Sequence, residues 1–186
     1  MLTEEVIKNN FERFVKGLES SGIEMNNSKL LEKYGLNIMI SPASKTTEMH
    51  GAYKGGLVEH ILSVASYAIK LNNLLPDEHK IEQKSLLKVA FLHQLSICEM
   101  FTPQLSDWHI QKGILYEYTK DRVAMHVGEK SAKMALDNGI ELTDHEFQAM
   151  INFTKENDDQ AKYFTETIGE LIKMANTLAI KTSKNK

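Results

Sequence analysis

The chain has 186 residues, 42% of them hydrophobic and 25% charged, with a formal net charge of -3. That balance suits one folded domain and excludes a basic nucleic-acid binder or a chain drawn to anionic membranes. A single cysteine, Cys98, excludes an internal disulfide, and no run approaches the length of apolar residues a bilayer crossing needs. The first fourteen residues are charged from Glu4 onward and lack a signal core, so the expected location is the cytoplasm.

Helical periodicity dominates in chain order. Ile7, Phe11, Phe14 and Leu18 mark a first helix after a cap at Thr3, with Gly22 as its stop. The spacing predicts a short second helix over 28–34, closed by Gly35, and leaves "NIMISPAS" unassigned apart from a turn after Ser41. A glycine-rich loop, "KTTEMHGAYKGG", leads into a helix over 56–75 with Leu57, Ile61, Val64, Ala68, Leu71 and Leu75 on one face. The stretch 81–96, with "LLKVAFL", is apolar nearly all round and predicts a buried central helix. Residues 99–120 read as a loop with a short hairpin. A helix over 124–137 stops at Asn138-Gly139, and "TDHE" at 143–146 is a capping box opening a helix to Thr154. After the polar run "KENDDQ", a last helix over 161–181 carries Phe164, Ile168, Leu171, Ile172, Ala175 and Ala179. The end, 182–186, reads as a frayed basic tail. The fold class is all-α: a single domain of seven or eight helices, with 1–40 as a helical extension and 41–181 as the core.

Three polar positions fall where the pattern demands burial. His60 stands beside the apolar stripe, His93-Gln94 end the most buried helix, and Asn176 borders the face of the last one. Each buried polar group costs about 1–3 kcal/mol unless hydrogen-bonded, so several on separate helices suggest one polar pocket. The plainer alternative is that backbone or water satisfies each separately.

The stretches "HGAYKGGLVEHILSV" (50–64), "LLKVAFLHQL" (86–95) and "YEYTKDRVAMHVGEKSAKM" (116–134) resemble the HD superfamily of metal-dependent phosphohydrolases, and more narrowly its small bacterial and phage members. The resemblance covers roughly 40–180 and implies an HD-type helical bundle. His50, Gly51, Gly55, Gly56, Leu57 and His60 fit its first block. By that resemblance His60 and His93 match two metal-ligating histidines. Gln94 stands in place of the signature aspartate and Asn176 in place of the distal aspartate. The positions of a second metal hold Val127, with His126 one step off, and Thr154 or a neighbour.

Losing both carboxylates removes the charge that holds a divalent ion and helps to activate its water. One unit-charge pair is worth about 4 kcal/mol at a protein-like dielectric, so metal affinity should fall by powers of ten. His60, His93, Gln94 and Asn176 are therefore expected as a vestigial site, a neutral cluster that satisfies its own hydrogen bonds, with no catalytic residue and no cofactor. The expected role is binding or regulation through a nucleotide or other phosphorylated small molecule. His50, Lys54, His126 and Lys130 are the candidate contacts, and solvated side chains are the plainer account of each. An alternative keeps hydrolysis with a divalent metal on His60 and His93, aided by His126 and a carboxylate from Glu59, Asp121 or Glu129. A third alternative is a scaffold that self-associates, as a homo-oligomer, through Met100, Phe101, Trp108 and Tyr116. Cys98 reads as a packed thiol before it reads as a nucleophile paired with His93.

Overall fold

The computed structural model describes residues 2–153 and 166–183. Helix accounts for 64% and strand for 5%, which makes the class all-α. Thr3 is extended, and its hydroxyl accepts the Val6 amide at 3.3 Å, opening α1 (Glu4–Ser20). Ile7, Phe14 and Leu18 are buried on its inner face, and Gly22 leaves the helix at φ 82°. Helix α2 (Leu30–Ile40) does not close at Gly35. It runs on through 37–40 because Ile38 is needed in the core, and it stops where Ser41, ahead of Pro42, must be extended. Phe14, Leu18, Leu30 and Ile38 share one apolar cluster with the central helices, so the first forty residues are built into the core and not appended to it.

The loop after α2 folds tightly back. The Ala43 amide donates to the Gly51 carbonyl at 2.8 Å, and a Cβ on Gly56 would run into that same carbonyl. That is the physical reason for the "GGL" entry to α3 (Gly56–Asn73). Helix α3 is central, and Leu57, Ile61, Val64 and Ala68 are buried on it as the stripe predicts. Leu75 lies just beyond its end and is half-buried.

Helix α4 (Gln83–Leu92) is buried over most of its surface, but ends four residues earlier than expected. His93 and Gln94 break it, and Leu95–Glu99 continue as a tighter 3-10 turn. A competing bond explains the change: the Ser96 amide donates to Ser131 Oγ at 3.0 Å, and the Ser96 hydroxyl to the Val127 carbonyl at 3.0 Å. The anticipated hairpin is present as β1 (Phe101–Pro103) and β2 (Tyr116–Tyr118), antiparallel, with Phe101 opposite Tyr118. A short helix, α5 (Asp107–Gln111), sits in its loop.

Helix α6 (Val127–Asp137) starts three residues later than predicted and ends at Asn138 and Gly139, the latter at φ 80°. Helix α7 (Asp144–Asn152) begins with the expected box: Glu146 N donates to Thr143 Oγ1 at 3.2 Å and Thr143 N to Glu146 Oε2 at 2.9 Å. The same carboxylate, nearly fully buried, holds Lys88 of α4 at 3.1 Å. Helix α8 (Thr167–Ser183) includes Thr182 and Ser183, which were expected in a frayed tail. The anticipated helix start at 161–165 with Phe164, the polar run 155–160, Thr154 and the end at 184–186 lie outside the described residues. Helix α3 packs on α8, α4, α1 and α2, and α4 also packs on α7, so α3, α4 and α8 enclose the centre.

Candidate functional site

Helix α3 turns Leu57 and Ile61 into the core, which places His60 at the edge of that face, 4% exposed. Across from it, α8 buries Ile172, Ala175 and Ala179 and brings Asn176 to the same level. His60 Nε2 lies 2.9 Å from Asn176 Oδ1, and Gln94 Nε2 donates to that oxygen at 3.2 Å. An oxygen accepts, so His60 carries its hydrogen on Nε2. His93 is fully buried at the end of α4, donates from Nδ1 to the Ala90 carbonyl at 2.8 Å, and meets the Phe153 ring edge-on at 4.8 Å. The four residues singled out in the sequence thus form one centre where α3, α4 and α8 meet.

The cluster is less self-sufficient than expected. His60 Nδ1, His93 Nε2 and Gln94 Oε1 are buried with no hydrogen-bond partner among the described residues. Each is an acceptor, since both histidines carry their hydrogen on the other nitrogen. Burial drives the His60 pKa down to about 3, with help from the nearby His50 and His93, against the opposing bond to Asn176. Burial also lowers His93 to about 4, against the opposing Ala90 carbonyl. Both imidazoles are neutral at physiological pH, and among the described residues the centre holds no carboxylate.

That donor set suits a divalent cation poorly. His60 Nε2 carries a hydrogen, and the oxygen of Asn176 is shared by two donors. Among the described residues no three of His, Cys, Asp and Glu converge as metal donors. The carboxylates named for the hydrolase alternative are dispersed. Glu59 accepts the Tyr53 hydroxyl, Glu129 accepts the His126 amide at 3.2 Å as a helix cap, and Asp121 is exposed.

No family model, curated protein or solved structure matches this chain.

A groove of about 470 Å³ opens beside the cluster, between α1, α3 and α8. His50, Tyr53, Glu59 and His60 line one end, and the His50 ring lies 4.4 Å from the His60 ring. Ser63, Ser66 and Lys70 continue along α3, Asn10 and Arg13 come from α1, and Thr182 and Ser183 from α8. Tyr67 ties the walls together, its hydroxyl donating to Thr182 Oγ1 at 3.1 Å.

Of the four expected ligand contacts, only His50 reaches this groove. Lys54 borders a separate apolar hollow between α1 and α2, beside Phe11 and Met39. His126 and Lys130 line a third concavity with Arg122, and Lys130 is paired with Glu99 at 3.0 Å. The sequence reading missed Arg13, Ser63, Ser66, Lys70 and Thr182. A signal was present: Glu59, Ser63, Ser66 and Lys70 recur at helical spacing, a polar stripe flanking the apolar one on α3.

The remaining candidates are accounted for locally. Cys98 is packed, its thiol pushed up to about 12 by burial and by Glu99. Phe101 stacks on Tyr118 at 5.3 Å, Met100 and Tyr116 are half-buried, and Trp108 is 63% exposed. Among the described residues no helix is long and apolar enough to cross a membrane.

Proposed function

We propose that this chain is a degenerate HD-type protein of the cytoplasm that binds a nucleotide or another phosphorylated small molecule without hydrolysing it. The observation that carries the reading is the shared oxygen of Asn176, which takes hydrogen bonds from both His60 and Gln94 beside an open groove. Amides stand where the resembling family has carboxylates, and they bond to the imidazole and to each other, a role that needs no ion between them. In this reading the cluster holds no metal-bound water, the nucleophile that hydrolysis at phosphorus would need. The groove offers hydroxyls and two cationic side chains, Arg13 and Lys70, which suit a phosphorylated ligand.

The test is titration calorimetry of the native protein against nucleotides and sugar phosphates, with metal analysis and a phosphomonoesterase and phosphodiesterase panel alongside. Binding with no turnover supports the reading. Turnover that follows a stoichiometric divalent metal overturns it. A second reading, self-association, is favoured by the exposed Leu105 and Trp108 of the hairpin excursion. A dimer by light scattering that Trp108→Ser dissolves would select it.

A further inference from the structure

Among the described residues, Glu59 is the only carboxylate that lines the groove. It is held in place: the Tyr53 hydroxyl donates to its Oε2, and both side chains are half-buried. The chain path explains the pairing. Gly55, at φ 83°, turns the loop into α3, and the Gly56 amide donates to the Tyr53 carbonyl at 2.9 Å, which brings Tyr53 back over the first turn of the helix, where Glu59 stands. Burial, and Glu59 itself, push the Tyr53 hydroxyl above its ordinary range, so it keeps its hydrogen and gives it to the carboxylate. Two acceptors then remain side by side, Glu59 Oε1 and the lone pairs of Tyr53 Oη, and neither has a hydrogen to give. A phosphate group meets only repulsion at this pair, whereas hydroxyl groups meet two acceptors.

Resting on the reading above, we propose that Tyr53 and Glu59 receive the vicinal diol of the phosphorylated ligand, so that the groove prefers a ribonucleotide or ribose phosphate to the analogue without those hydroxyls. One hydroxyl donates to Glu59 Oε1, and its neighbour to Tyr53 Oη or to the same carboxylate. A hydrogen bond to a charged acceptor is about twice as strong as one between neutral groups. Dinucleotide-binding folds read ribose hydroxyls by the same means, an acidic side chain. The analogue without the hydroxyls is rejected because it covers the carboxylate and returns no donor to it.

The experiment is calorimetry with AMP, 2′,3′-dideoxy-AMP and ribose 5-phosphate on the wild type, Glu59→Gln and Tyr53→Phe. The wild type is expected to bind AMP at least tenfold more tightly than the dideoxy compound. In Glu59→Gln, AMP and ribose 5-phosphate are expected to weaken together, AMP to the level of the dideoxy compound. The dideoxy compound should bind that variant as before, which also shows that it is folded. Tyr53→Phe is expected to weaken AMP about threefold. Equal binding of AMP and 2′,3′-dideoxy-AMP to the wild type, an equal loss of both in Glu59→Gln, or AMP binding unchanged in Tyr53→Phe overturns the diol site while ligand binding itself stands. Failure of AMP and ribose 5-phosphate to bind the wild type removes the diol site and the proposed function together.

Discussion

Two histidine-bearing regions invite comparison. At the meeting of α3, α4 and α8, His60 and His93 are packed inside the core and bonded to Asn176 and Ala90. At the entrance to α6, His126 is exposed, and its backbone amide is held by Glu129. His60 lies within α3 and His93 caps the end of α4, and both are buried. His126 also caps a helix, at the start of α6, but is exposed. Burial, more than residue type, decides which imidazoles belong to a shared centre, because only the buried ones must find partners among their neighbours.

The sharpest way to break the contrast is to restore the carboxylates. Gln94→Asp with Asn176→Asp places two acids among neutral groups, and the variant should lose about 3–5 kcal/mol at neutral pH in chelator. The charged form is the costly one, so its deficit against the wild type should be smaller at pH 5 than at pH 8. Manganese or zinc should recover part of the loss, as read by urea melts. No metal response would argue that Asn176 is not the counterpart of the distal aspartate.

Protonation tests the same region without new residues. The folded pKa values of about 3 and 4 lie below the ordinary histidine value of 6.5, so the unfolded chain takes up protons first. The contribution is fully present above pH 6.5 and is lost as pH falls toward 4 for His93 and toward 3 for His60, with a slope approaching about 1.4 kcal/mol per pH unit for each histidine. His60→Asn with His93→Gln should flatten that slope. An unchanged slope would mean that other groups set the acid limb.

The smallest effect belongs to the exposed region. His126→Ala removes an exposed helix cap, should cost about 0.5–1 kcal/mol and should leave ligand binding untouched. A larger loss, measured by thermal unfolding, would erase the distinction drawn here.

Helix existence was legible because the stripes on α1 and α3 are strong and end at Gly22 and before Pro76, and because α4 is apolar nearly all round. Two ends were not. Gly35 resembles a terminator, but Ile38 pulls the next turn of α2 inward; the end of α4 is set by Ser131, thirty-five residues further on, which claims the Ser96 amide. Tertiary hydrogen bonds leave no local trace. The buried cluster was legible for a related reason: polar residues at core positions stand out against an apolar background. The groove was not, because Arg13, Ser63 and Lys70 look like any solvated helix face until α1 and α8 close over them. Lys54, His126 and Lys130, grouped by motif, fall in hollows of their own.

One helix, α3, faces three ways at once: Leu57 and Ile61 inward, His60 toward Asn176, and Glu59, Ser63 and Lys70 into the groove. Each added residue turns a helix by about a quarter revolution. A single-codon insertion near its middle would therefore misalign packing, polar cluster and ligand wall in one stroke. The same insertion in the loop around Leu105 would pass almost unnoticed.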